Sequence, residues 1–281
     1  MTEQWLFLDK LTNQKNWLAA RYVSSLRLIR HIAEKEHLEG ERGKFYHGTN
    51  LVCDFGNLIL KIFAPEICGY QAIEDFNREI YALQQLQNTE LRVPHIVSGG
   101  CVHDQYDFYY LILEKLEIPP ATQFVNTCTP LELSQFGGEL LNTIKIFKEI
   151  IVNRDLAKTR PSPICPERLR CLSKYSLCFV HADLSGDNIL YDGKHLAIID
   201  FEDWTYSAPF SEYPTLAFEL LHGDRTSIEA FFSRPLNQAF LDEIFDGLIC
   251  HYNWERLIVQ HCMRDFQPPT SLKEARQRFI I

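Results

Sequence analysis

The sequence predicts an α+β chain in two parts: a small strand-rich lobe carrying one helix, then a larger, mainly helical lobe with one polar hairpin. Three observations carry this reading. β-branched and aromatic runs gather between about residues 45 and 117, and a helical apolar period interrupts them once, from Ala72 to Gln87. Beyond Pro119-Pro120 the helical period dominates, broken by the apolar run CFVHADLSGDNILYDGKHLAIIDFEDW. The boundary is placed so that residues 1–116 form the first lobe with its leading helix and residues 117–281 the second.

Each element has a local reason. Trp17, Ala20, Val23, Leu26, Ile29 and Ala33 recur at helical spacing and predict one amphipathic leading helix. The stretch FYHGTNLVCDFGNLILKIFAP reads as strands punctuated by turns at Gly48-Thr49-Asn50 and Gly56-Asn57. Phe76, Ile80, Leu83 and Leu86 give the next helix its apolar face; a turn at Pro94 and the strand-like runs HIVSGGCVH and FYYLILEKL follow. A hinge at Glu114 to Glu117 leads to a helix over Leu133 to Ile151, and then to a polar stretch with Pro161, Pro163 and Pro166. From about Thr215 the chain is again helical, with Leu216, Ile228, Phe240, Ile244, Leu248 and Leu257 as core candidates.

A chain of 281 residues is long enough to bury a substantial core. Its 28 Lys and Arg against 37 Asp and Glu leave a net charge of −9, which argues against nucleic acid as a partner. The same sign suits a cationic small molecule, or solubility alone. The nine cysteines are odd in number and lack a C-x-x-C pair, so free thiols in a reducing compartment are expected. The opening MTEQWLFLDKLTNQKNW carries acid and amide residues in place of a basic region followed by an apolar run, and no apolar stretch nears membrane-spanning length, so a cytoplasmic location without export or membrane contact is expected.

The chemistry concentrates in His181-Ala182-Asp183-Leu184-Ser185-Gly186-Asp187-Asn188 and, twelve residues after Asn188, in Asp200-Phe201-Glu202. Two carboxylates and a carboxamide on neighbouring loops suit Mg²⁺, which takes oxygen ligands, and a third carboxylate remains to act as base. The spacing H-x-D-x-x-x-x-N matches the catalytic loop of protein kinases, and Asp200-Phe201 the start of their metal-binding D-F-G. Lys61, in the second strand of a hairpin, precedes Glu79 by eighteen residues, the order in which kinases pair a strand lysine with a helix glutamate.

The loop lacks the Arg of H-R-D, and no A-P-E segment follows Asp200. It resembles instead the aminoglycoside phosphotransferase and choline kinase family, with its H-G-D-L-x-x-x-N loop and following I-D-F or I-D-W. Within that family the pattern is most similar to the hygromycin-type phosphotransferases, through YHGTNLVCDFGNLILKIFAP, YYLILEKL and HGDRTSIEAFF, over roughly Lys44 to Phe266. The resemblance implies a bilobal protein kinase-like fold and phosphoryl transfer from ATP or GTP with Mg²⁺. It makes Asp183 the base or orienter of the acceptor hydroxyl and Asn188 and Asp200 the Mg²⁺ ligands. Lys61 becomes the phosphate contact with Glu79 as its partner, Leu113 the back of the purine pocket, and the backbone of Glu114 to Leu116 the contact to the purine edge. His181 braces the loop.

Three departures remove no ligand: Ala182 where the family has glycine, Glu202 after D-F, and Glu117-Ile118 where Pro-Gly is common. Glu212, Glu219 and Asp224 read either as acids of an acceptor site or as exposed helix surface, and Trp204 and Tyr206 as its aromatic walls. Cys178 reads as a buried structural thiol. The expected partners are a purine nucleotide and a small-molecule acceptor, aminoglycoside-like or otherwise amino-bearing, on a monomer or dimer. The alternatives are a kinase of choline, a sugar or an amino alcohol, and a nucleotide-free pseudokinase serving as a binding module.

Overall fold

In the computed structural model, which describes residues 5–40, 42–150, 152–157 and 172–250, the chain divides into two compact units. The first comprises Met1–Gln84 and Pro94–Glu117, the second Gln85–Val93 and Ile118–Ile281. The expected core residue Leu257 and the proline-bearing stretch from Pro161 to Pro166 lie outside the described residues.

The strands of the first unit are β1 (Phe45–Tyr46), β2 (Leu51–Phe55), β3 (Leu58–Ile62), β4 (Ile96–His103) and β5 (Asp107–Glu114). They form one antiparallel sheet in the order β1-β2-β3-β5-β4. Gly56, at φ 58°, supplies the left-handed residue of the two-residue turn that sets Phe55 opposite Leu58. Alternation along β2 buries Leu51, Cys53 and Phe55 on one face.

That face is covered by the leading segment, whose Phe7, Leu11, Trp17, Leu28, Ile29 and Ile32 join the same core. The predicted single helix is two, α1 (Gln14–Ser24) and α2 (Leu26–Lys35), because the Ser25 hydroxyl bonds back to the Arg21 carbonyl and interrupts the ladder. Three donors of α1 reach the end of β1 and the turn that follows it. Tyr22 Oη donates to the Tyr46 carbonyl at 3.1 Å, Arg21 Nη2 to that of Gly48 at 2.9 Å, and Trp17 Nε1 to that of Thr49 at 2.7 Å. Asp104 holds the amides of Leu6 and Phe7 at 3.1 and 2.9 Å.

Helix α3 (Ala72–Leu86) packs by Phe76, whose ring lies 5.8 Å from Phe63 and 5.6 Å from Tyr109. Phe76 and Glu79 are three apart on this helix, and Lys61 and Phe63 two apart in sequence, so each pair shares a side.

The second unit contains α4 (Ala121–Val125) and α5 (Pro130–Glu149), the latter opened by a capping box in which Thr129 and Glu132 satisfy each other's backbone N–H. Helices α6 (Arg225–Phe231) and α7 (Gln238–Cys250) follow. Gly137 lets α5 lie on α6: a Cβ there would fall 1.9 Å from the Phe231 carbonyl oxygen. Two short ladders complete the unit, β6 (Cys178–Val180) with β9 (Thr205–Ser207) and β7 (Ile189–Tyr191) with β8 (Leu196–Ile198). Among the described residues, no helix is long and apolar enough to cross a membrane.

Candidate active site

The loop between β6 and β7 is built around a buried imidazole. His181 Nε2 faces the Ile199 carbonyl oxygen at 2.9 Å and must donate to it, which leaves Nδ1 to accept the Asp183 N–H at 3.3 Å. The ring is fully buried and lies 4.7 Å from that of Phe201. His181 thus ties the start of the loop to the end of β8.

Ala182 takes the left-handed conformation, at φ 68°. An L-residue there bears roughly 1–2 kcal/mol of steric strain, which explains why glycine suits this position. The conformation is fixed from below by Glu212, whose Oε1 accepts the Ala182 N–H at 3.0 Å. Burial pushes the Glu212 carboxyl up from its ordinary value, opposed by backbone hydrogen bonds. Its Oε2 is buried without a hydrogen-bond partner among the described residues.

Asp183 and Asn188 meet directly. Asn188 Nδ2 donates to the Asp183 carbonyl at 2.9 Å and to its Oδ2 at 3.1 Å. A flipped amide would set oxygen against oxygen at both contacts, so the network fixes Asn188 Oδ1 as the atom turned elsewhere. The Asn188 carbonyl in turn accepts the Ile199 N–H at 3.0 Å, which sets Asp200 one residue beyond that bond. Asp200 is itself left-handed, at φ 66°, and starts the 3₁₀ turn Phe201–Asp203. One carboxylate and one carboxamide oxygen on adjoining backbones are a hard-oxygen pair that fits Mg²⁺.

In the first unit Lys61 Nζ lies 2.5 Å from Glu79 Oε2, with the two residues 4% and 1% exposed, so this is a desolvated ion pair. Leu113 ends the buried run of β5, and Leu116 is also buried. The Glu114 N–H donates to the His95 carbonyl at 2.9 Å and that of Lys115 to Asn57 at 2.8 Å. The structure thus joins Lys61 to Glu79, and Asp183 to Asn188 beside Asp200, each set within one unit.

Other expected placements differ. Trp204 walls no acceptor site: it is fully buried and stacks on Phe179 at 5.3 Å. Glu212 is neither exposed surface nor an open acid but the support of Ala182. Asp224 caps α6 through the Ser227 N–H at 2.7 Å. Tyr206 Oη accepts from Arg154 Nη2 at 2.8 Å, and Asp187 from Thr122 Oγ1 at 3.4 Å. The Cys178 thiol is buried and pushed up to about 11, which makes it a poor nucleophile.

A five-stranded antiparallel sheet with its helix, and a mainly helical unit carrying this loop, define a protein kinase-like α+β fold. Residues 146–257 match the model of the phosphotransferase enzyme family. Among solved structures, the amicoumacin kinase hAmiN in complex with AMP-PNP, Ca²⁺ and Ami is 17% identical, with a TM-score of 0.60 over 94% of each chain. The GDP complex of an aminoglycoside 2′-phosphotransferase-IIIa mutant is 14% identical, with a TM-score of 0.59 over 91% of this chain and 96% of that one. A kanamycin and GDP complex of an aminoglycoside 2″-phosphotransferase is 16% identical, with a TM-score of 0.58 over 91% and 97%. No curated protein sequence matches the chain.

Proposed function

We propose that the chain transfers the γ-phosphoryl group of ATP or GTP to a hydroxyl of an aminoglycoside-like or other amino-containing small molecule. The observation that carries this reading is the hydrogen bonding of Asn188 to Asp183 beside Asp200. It joins an acceptor-orienting carboxylate to a pair of oxygen ligands. The neighbours described above act on or bind such compounds and hold purine nucleotides, which supports the substrate class.

Asp183 accepts the acceptor hydroxyl's proton or orients it, with its Oδ2 held by Asn188. Asn188 Oδ1 and the Asp200 carboxylate would hold Mg²⁺, which when bound neutralises charge on the nucleotide phosphates. Lys61, steered by Glu79, contacts those phosphates. Leu113 backs the purine. Of the three amides from Glu114 to Leu116, the first two are engaged by His95 and Asn57, so Leu116 supplies the donor to the purine edge.

Nucleotide consumption measured across a panel of aminoglycosides and amino-bearing metabolites tests the proposal. Turnover with an amino-containing acceptor, lost in Asp183→Asn, is expected. Turnover confined to an acceptor without an amino group would overturn the substrate class, and absence of Mg²⁺-dependent purine nucleotide binding would overturn the kinase reading itself.

A further inference from the structure

The hairpin of β4 and β5 carries a second cluster that phosphoryl transfer does not use. Residues two apart on a strand share a face, so Cys101 and His103 point to the same side of β4. The register sets Asp107 directly across from His103. His103 Nδ1 lies 2.7 Å from Asp107 Oδ1 and 3.9 Å from Cys101 Sγ, and one donor atom from each of the three side chains falls within 4.8 Å of the others. β4 is an edge strand, and His103 and Asp107 are exposed, so an ion reaches the cluster from solvent.

We propose that Cys101, His103 and Asp107 form a Zn²⁺ site on the edge of the sheet. A sulfur, an imidazole nitrogen and a carboxylate oxygen are the donors that borderline-soft Zn²⁺ accepts together, whereas Mg²⁺ and Ca²⁺ take oxygen. Tetrahedral Zn²⁺, with bonds of about 2.0 Å to nitrogen and 2.3 Å to sulfur, spaces its ligand atoms roughly 3.3–3.6 Å apart. The two measured separations bracket that value and the third, from Cys101 to Asp107, is at most 4.8 Å, so side-chain rotation on a fixed ladder completes the geometry.

A cysteine binds zinc as its thiolate, so binding replaces the Cys101 proton: Zn²⁺ and the thiol give the thiolate complex and one released proton. Three protein ligands leave the fourth position to water. C-x-H on a strand with an Asp four residues on, inside a hairpin, is not a spacing that cysteine-pair patterns pick out.

Titration of the reduced, metal-stripped full-length protein with Co²⁺ in excess Mg²⁺, which keeps oxygen-only sites filled, tests the site. Expected is a thiolate-to-cobalt charge-transfer band that saturates at one equivalent and is abolished by one equivalent of Zn²⁺. The band should vanish in Cys101→Ser. Competition against a chromophoric chelator should show Zn²⁺ affinity lower by about 10–100-fold in His103→Ala, an exposed position where folding is not at stake. A band that persists in Cys101→Ser, no band at one equivalent, or unchanged Zn²⁺ affinity in His103→Ala would each overturn the assignment.

Discussion

Glu212, fully buried, accepts the Ala182 N–H at 3.0 Å and so holds from beneath a residue whose φ of 68° an alanine adopts at a cost. The residue before Asp183 is therefore strained and braced at once.

Ala182→Gly relieves that strain but enlarges the unfolded ensemble, so it should leave stability unchanged or raise it by up to about 1 kcal/mol. Ala182→Val, β-branched at a left-handed position, should cost more than about 2 kcal/mol. Urea unfolding of the two variants checks the ordering; a valine variant as stable as the glycine one would contradict the left-handed assignment.

Glu212 should make stability depend on pH. Its carboxyl is raised in the folded state above the ordinary 4.5, so its contribution is fully present below that value and fades as pH rises through the folded value. Glu212→Gln removes the titration and should flatten the stability profile above pH 4.5 relative to wild type. Glu212→Ala, which leaves the Ala182 N–H unpaired, should cost about 1–3 kcal/mol at any pH. Parallel profiles for wild type and Glu212→Gln would show that the carboxyl is not desolvated.

Asp183→Asn should keep the fold and nucleotide affinity and lower turnover by roughly 10²-fold or more, the usual scale of a general-base contribution. Steady-state kinetics beside a nucleotide-binding isotherm measure both. A variant within threefold of wild type would remove Asp183 from its role. Asp200→Ala should instead abolish the Mg²⁺ dependence of nucleotide binding, since it strips the charged ligand.

Lys61 and Glu79 should behave as one unit. Lys61→Ala takes the ammonium away from a buried carboxylate, which should lower stability by up to about 3–5 kcal/mol, raise the nucleotide KM and lower kcat. Glu79→Gln should do the same more mildly. The double variant should fall well short of the summed costs in both stability and kcat/KM. Strict additivity in the cycle would show that the pair is not coupled.

Much of this was legible from residue order. Lys61, Glu79, Asp183, Asn188 and Asp200 stand out by type and spacing, and the structure joins Lys61 on β3 to Glu79 on α3, and Asp183 to Asn188 within one loop. What spacing does not show is which acid is buried. Glu212 and Asp224 look alike in sequence, yet one supports a strained loop and the other caps a helix, because only three-dimensional packing decides what each carboxylate meets. Trp204 was misread for the same reason: an aromatic beside acids suggests a binding wall, but its ring completes a stack with Phe179 inside the core. The break at Ser25 was invisible to apolar periodicity, which runs through it unchanged.

The grip of Trp17, Arg21 and Tyr22 on the carbonyls of Thr49, Gly48 and Tyr46 governs how the β1–β2 turn moves. Hairpin tips ordinarily fray on their own, with little protection against amide exchange. This one is tethered at three successive points to a helix that is itself sunk into the core by Trp17, so the turn opens only when α1 lifts. Its amides should exchange at the pace of the helix and not at that of a free hairpin tip.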